Sequence, residues 1–148
     1  MLSIDTNLLL YAFEASAPEH KAAYAFLASL VGRDDVAISE FVLAELYNLL
    51  RNPSVVDRPL KPLEAVAVIQ AYRSHPRWRL LSFPEPSSGV MDQVWRRVAE
   101  TQFARRRIYD VRLALILRQQ GVTEFATSNE KDFDGLGFRR AWNPLKPS

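Results

Sequence analysis

The sequence predicts an α/β fold built on a central, mostly parallel sheet with helices on both faces. Three observations carry this expectation. Short apolar runs of strand length alternate with longer stretches whose apolar residues recur at spacings of three and four, and that alternation implies parallel strands joined by helical crossovers. The 148 residues suit one domain spanning 1–148 with a single sizeable core. With 48% apolar and 24% charged residues, the chain has the balance of an ordinary soluble globular protein.

The elements follow in order. Residues 2–5 read as the first strand and 7–14 as a short helix capped from the side of Asp5 and Thr6. Pro18 suits a first helical position, and Ala22, Ala23, Phe26, Leu27 and Leu30 keep helical spacing up to Gly32. The run VAIS (36–39) is the second strand, and Ser39 caps a helix whose apolar positions are Val42, Leu46, Leu49 and Leu50. That helix stops near Arg51-Asn52-Pro53, because the residue before a proline resists the α region. After a loose stretch with three prolines, a helix is expected from Leu63 to Tyr72 and a strand over 78–83. Pro84, Pro86, Ser87, Ser88 and Gly89 mark a loop. A long amphipathic helix is expected from Val90 to Ala104 and another from Tyr109 to the cap glycine Gly121. Residues 124–128 read as a strand, NEKDF (129–133) as a turn or short helix, and GFRRAW (137–142) as the last strand.

Composition excludes several kinds of chemistry. There is no cysteine, hence no disulfide framework and no thiolate metal site. His20 and His75 stand far apart in sequence without ligand spacing. A metal here must therefore be held by oxygen, which points to magnesium or manganese. The N-terminus lacks a basic region, and Asp5, Asn7 and Glu14 interrupt its apolar run. It reads as neither signal peptide nor membrane span, so a cytoplasmic location is expected. Arginines gather in the second half at 96, 97, 105, 106, 107, 112 and 118, either as a solvated helical face or as a phosphate-binding surface.

Three acids sit where apolar neighbours predict burial: Asp5 at the end of strand one, Glu45 within FVLAELYNLL, and Asp110 opening YDVRLALIL. Each has an ordinary explanation alone. Asp5 can cap its helix, Glu45 can pair with Arg51, and Asp110 can favour the positive end of its own helix. Together they point to something else. Ligands of parallel α/β sheets bind outside the carboxyl ends of the strands, and both Asp5 and Thr127-Ser128-Asn129 fall at such ends. Carboxylates gathered there repel one another unless a cation is present.

These stretches resemble the PIN-domain nucleases, and within them the VapC toxins of bacterial toxin–antitoxin pairs. SIDTNLLLYA is similar to the family's opening motif, SEFVLAELYNLLRNP to its second, and IYDVRLALILRQQGVTEFATSNEKDF to its closing pair. The resemblance spans nearly the whole chain and implies a PIN-like domain with magnesium-dependent endoribonuclease activity, Mn²⁺ being a possible substitute. It implies that Asp5 and Asp110 bind the metal, with Glu45 beside them or holding a metal-bound water that attacks the phosphorus. The products would carry 5′-phosphate and 3′-hydroxyl ends. Thr6 and Asn7 would orient Asp5, and Thr127 would act from the far side. Many relatives carry a fourth aspartate where this chain has Asn129, which keeps an oxygen ligand but loses a charge. Asn129 and Asp132 are the candidates for a fourth position, Asp132 being otherwise an ordinary turn or capping residue, and without either the site is the triad alone. Arg105, Arg106, Arg107 and Arg112 flank Asp110 and are the candidates for contact with the RNA backbone. The resemblance further implies a homodimer and a VapB-like antitoxin that covers the acidic groove.

Other phosphoryl-transfer enzymes fit the residues less well. A haloacid-dehalogenase-like phosphatase needs an aspartate two residues after Asp5, where Asn7 stands. A receiver domain needs an acidic pair before its central aspartate, and a dinucleotide-binding fold needs a glycine-rich turn after strand one. A catalytically inactive PIN-fold module that binds RNA or protein is the alternative of a different class, supported by Asn129.

Overall fold

The computed structural model describes residues 1–83, 88–100 and 103–147. Its centre is a five-stranded sheet of β1 (Leu2–Ile4), β2 (Val36–Ser39), β3 (Arg79–Leu81), β4 (Glu124–Ala126) and β5 (Arg140–Trp142), ordered β3-β2-β1-β4-β5. Every pairing is parallel. The residues of β1 and β2 are buried throughout, as in a parallel sheet covered on both faces, and the buried Ser3 hydroxyl donates to the Ala37 carbonyl at 2.8 Å.

The helices are α1 (Thr6–Phe13), α2 (His20–Leu30), α3 (Glu40–Leu50), α4 (Pro62–Arg73), α5 (Ser88–Val98), α6 (Arg107–Gln119) and α7 (Glu130–Phe133). The chain first moves outward from β1 through β2 to β3, then crosses back over β1 to β4 and continues to β5. Right-handed crossovers in opposite directions put their helices on opposite faces. Accordingly α1 packs on α2 and α3, and α3 on α4, while α5 packs on α6 and α6 on α7. The reversal opens a crevice between the carboxyl ends of β1 and β4.

Local chemistry sets the helix ends. The Asp5 carboxylate accepts from the Thr6 N–H at 2.8 Å and opens α1, and Ser39 Oγ accepts from the Phe41 N–H at 3.1 Å to open α3. At the end of α6, Gly121 adopts φ 92°. Its N–H bonds to the Arg118 carbonyl, and that of Val122 to the Leu117 carbonyl, the paired bonds of a Schellman cap.

Several boundaries differ from the sequence reading. Pro18 lies in a turn ahead of α2, which begins at His20. The helix expected over 90–104 ends at Val98, and Phe103 and Ala104 are not helical. Ser88 and Gly89, expected in a loop, open α5, and the rest of that loop (84–87) lies outside the described residues. The expected third and fourth strands shrink to three residues each, because pairing ends where the neighbouring strand ends.

Candidate active site

Asp5 ends β1 with its side chain folded into the protein, 7% exposed. A carboxylate this buried needs partners, and it has three. Thr6 N–H donates to Oδ1; the Thr127 hydroxyl donates to Oδ2 at 2.7 Å; the Asn7 amide donates to Oδ2 at 3.3 Å. The same residues tie the strand ends together. Asn7 Oδ1 accepts from the Ser128 N–H at 3.2 Å, and Thr127 Oγ1 accepts from the Asn129 N–H at 3.0 Å. Thr6 also reaches the second acid, its hydroxyl donating to Glu45 Oε2 at 3.0 Å.

The three acids meet on one open groove of about 900 Å³, lined by Asp5, Asn7, Glu45, Asp110 and Asn129 among others. Their exposures differ. Asp110, in the first turn of α6, is half-buried, whereas Glu45 is exposed on the groove side of α3. The burial expected for Glu45 is thus not what the fold provides. Val42, Leu43, Leu46 and Leu50 form the core face of α3, and Glu45 falls between that stripe and solvent.

Burial pushes the Asp5 carboxyl up to about 6, against the hydrogen bonds from Thr127 and Thr6, with the charges of Glu45 and Asp110 adding to the rise. Asp110 is also pushed up to about 6, first by burial, then by the charges of Asp132 and Glu45, with Arg107 opposing. Asp132 is therefore close enough for its charge to be felt at Asp110, although it does not line the groove. Asn129 does line it.

Among the described residues, no three acidic or histidine side chains converge on a single ion position. The set expected from sequence shares a groove without forming a closed cage. All its donors are oxygens, and two of them are carboxylates held at raised pKa by burial first and by the charges of neighbouring acids second. That fits a small hard cation which takes one or two carboxylates and keeps much of its water.

The arginines divide. Arg106 and Arg112 line the groove, and Arg105 is exposed outside its lining. Arg107 is half-buried. It donates to the Asp132 carbonyl at 3.1 Å and lies 5.5 Å from the centroid of the Phe103 ring, so it serves the interior of the fold. Two further groove residues, Phe41 and Tyr109, carry no site role in the sequence reading, which has Phe41 as an apolar neighbour of Glu45 and Tyr109 as the start of a helix. Their signal was position: Phe41 is one turn before Glu45, and Tyr109 directly precedes Asp110.

Residues 2–138 match the PIN domain family. The chain is 54% identical over 145 residues to Ribonuclease VapC24 of Mycobacterium tuberculosis, covering 98% of this chain and 97% of the relative, and the same holds in two strains. Among solved structures it is similar to M. tuberculosis VapC20, described as a sarcin–ricin-loop-cleaving toxin, at TM-score 0.66 and 20% identity, over 91% of this chain and 95% of that one. It is also similar to FitAB bound to a DNA fragment, at TM-score 0.67 and 20% identity over 100% and 98% of the two chains.

Proposed function

Since the chain belongs to the PIN-domain family and to its VapC branch, we propose that it is a magnesium-dependent endoribonuclease, the toxin of a VapBC-type pair restrained by a VapB-like antitoxin. The observation that supports this most directly is the gathering of Asp5, Glu45 and Asp110 on one groove at the β1/β4 reversal. The name of its M. tuberculosis relative supports RNA as the substrate. A homodimer in the cytoplasm completes the reading that the family resemblance implies. Among the described residues, no helix is long and apolar enough to cross a membrane.

Asp5 and Asp110 would hold the Mg²⁺, with Glu45 beside them. When bound, the ion supplies Lewis acidity and positive charge against the phosphodiester oxygens. The protein's own residues do the rest. Thr6, Asn7 and Thr127 fix both oxygens of Asp5 before any ligand arrives, so little reorientation is needed at the moment of reaction. Glu45 accepts the Thr6 hydroxyl through Oε2, which leaves Oε1 to take a proton from the attacking water. Arg106, on the groove wall, attracts the RNA backbone.

Incubating the purified protein with total bacterial RNA, with magnesium and with a chelator, tests this reading. Wild-type protein with magnesium is expected to cut, whereas chelated protein and Asp110→Asn leave the RNA intact. Cleavage that persists under chelation removes the metal from the reading, and intact RNA in every arm removes the nuclease.

A further inference from the structure

Side chains three or four apart on a helix share a face. On α3 this sets Phe41 one turn from Glu45, and on α6 it sets Arg112 one turn from Tyr109, itself next to Asp110. Where the two helices border the groove, the Arg112 guanidinium lies 4.6 Å from the centroid of the Phe41 ring and 5.4 Å from that of Tyr109. Phe83 closes edge-on against Phe41 at 4.8 Å. The outer rings are open to solvent, Tyr109 at 63% and Phe83 at 64% exposure.

We infer that Phe41, Arg112 and Tyr109 form a stacking platform which takes one unpaired base of the RNA beside the scissile phosphate. The inference rests on the ribonuclease reading and adds to it the residues that hold a base. Exposed aromatic faces next to cationic side chains are the pattern by which proteins hold unpaired nucleotides: the ring stacks on the base, and arginine serves the phosphate or the base face. Arg112 lies against both rings, so the wall offers π-surface and a cation together. A purely apolar occupant of Tyr109 would have to desolvate Arg112 without pairing it, a cost that a nucleotide offsets by placing its phosphate on the guanidinium. In a duplex the base faces are already stacked and out of reach of Tyr109.

The test uses Asp5→Asn protein, expected on the ribonuclease reading to hold RNA without cutting it, with Tyr109 unchanged, replaced by Phe or replaced by Leu. The probes are a short single-stranded oligoribonucleotide carrying one 2-aminopurine and a fully paired RNA duplex. Tyr109→Leu is expected to weaken single-strand binding roughly tenfold or more and to relieve quenching of the 2-aminopurine. Tyr109→Phe should keep both, and duplex binding should be the same in all three. The melting temperature should stay unchanged, because the ring is exposed. Equal single-strand affinity and equal quenching in the Leu protein would overturn the platform, as would an equal loss of duplex binding. A changed oligomeric mass at unaltered RNA affinity would make this face a protein contact instead. If RNA is cut by the otherwise wild-type protein and equally by its Tyr109→Leu variant, only the platform falls. If the wild-type protein neither binds nor cuts RNA, the ribonuclease reading fails first.

Discussion

The Thr127 hydroxyl holds Asp5 Oδ2 at 2.7 Å across 122 positions of the chain. This hydrogen bond joins the ends of β1 and β4, and it favours the ionised form of a carboxylate that burial pushes the other way.

Thr127→Val keeps the shape and deletes the donor. At pH 7.5 it should cost about 2 kcal/mol, the range for a hydrogen bond to a charged group, and it should reduce RNA cleavage. Below pH 5 Asp5 is protonated, so the cost should shrink. Urea unfolding at the two pH values measures the difference, and Thr127→Ser should restore most of it. An equal loss at both pH values would mean that the hydroxyl does not act through the carboxylate charge.

The raised carboxyls of Asp5 and Asp110 make metal-free stability depend on pH in a definite direction. Their folded pKa of about 6 lies above the ordinary 3.8, so the folded state holds protons that the unfolded chain has released. The stabilisation is complete below about pH 4 and lost as pH rises through about 6, by roughly 3 kcal/mol for Asp5. Thermal melts in chelator should therefore fall between pH 4 and 7, and Asp5→Asn should flatten the curve. Adding manganese at pH 7.5 should raise the melting temperature of wild type more than that of Asp5→Asn. A flat wild-type profile would contradict this account.

At the fourth position, Asn129 lines the groove while Asp132 reaches Asp110 only through its charge. Asn129→Asp should raise manganese affinity, since added ligand charge strengthens the hold on a hard cation. Asp132→Asn should lower the Asp110 pKa and weaken metal binding modestly. Calorimetric titration separates them. Should Asn129→Asp change nothing while Asp132→Asn abolishes cleavage, Asp132 is the fourth acid.

Arg106 and Arg107 are neighbours in sequence with different surroundings. Arg106→Ala should reduce the salt dependence of single-stranded RNA binding by about 0.7, one phosphate contact. Arg107→Ala should instead lower stability by about 1 kcal/mol, because its guanidinium bonds to the Asp132 carbonyl and rests on Phe103. The reverse pattern in salt titrations and melts would exchange their roles.

What the sequence by itself determined is what local patterning records. Period and punctuation set the alternation of strands and helices, the caps at Asp5 and Ser39, and the glycine turn at Gly121, because each depends on residues within one turn or one strand. The motifs around Asp5, Glu45 and Asp110 likewise identified the family. Only the tertiary structure decided how those acids differ. The return crossover from β3 to β4 brings Asp110 and Thr127 to Asp5, buries one carboxylate, half-buries another and leaves Glu45 exposed. Helix length followed the same rule: the apolar period suggested that α5 runs to residue 104, yet it stops at Val98. Arg107 turned inward and Arg106 outward for a reason that no spacing encodes. A side chain's solvent, partners and charge neighbours come from elements far away in the chain, and those are fixed when the sheet orders its strands.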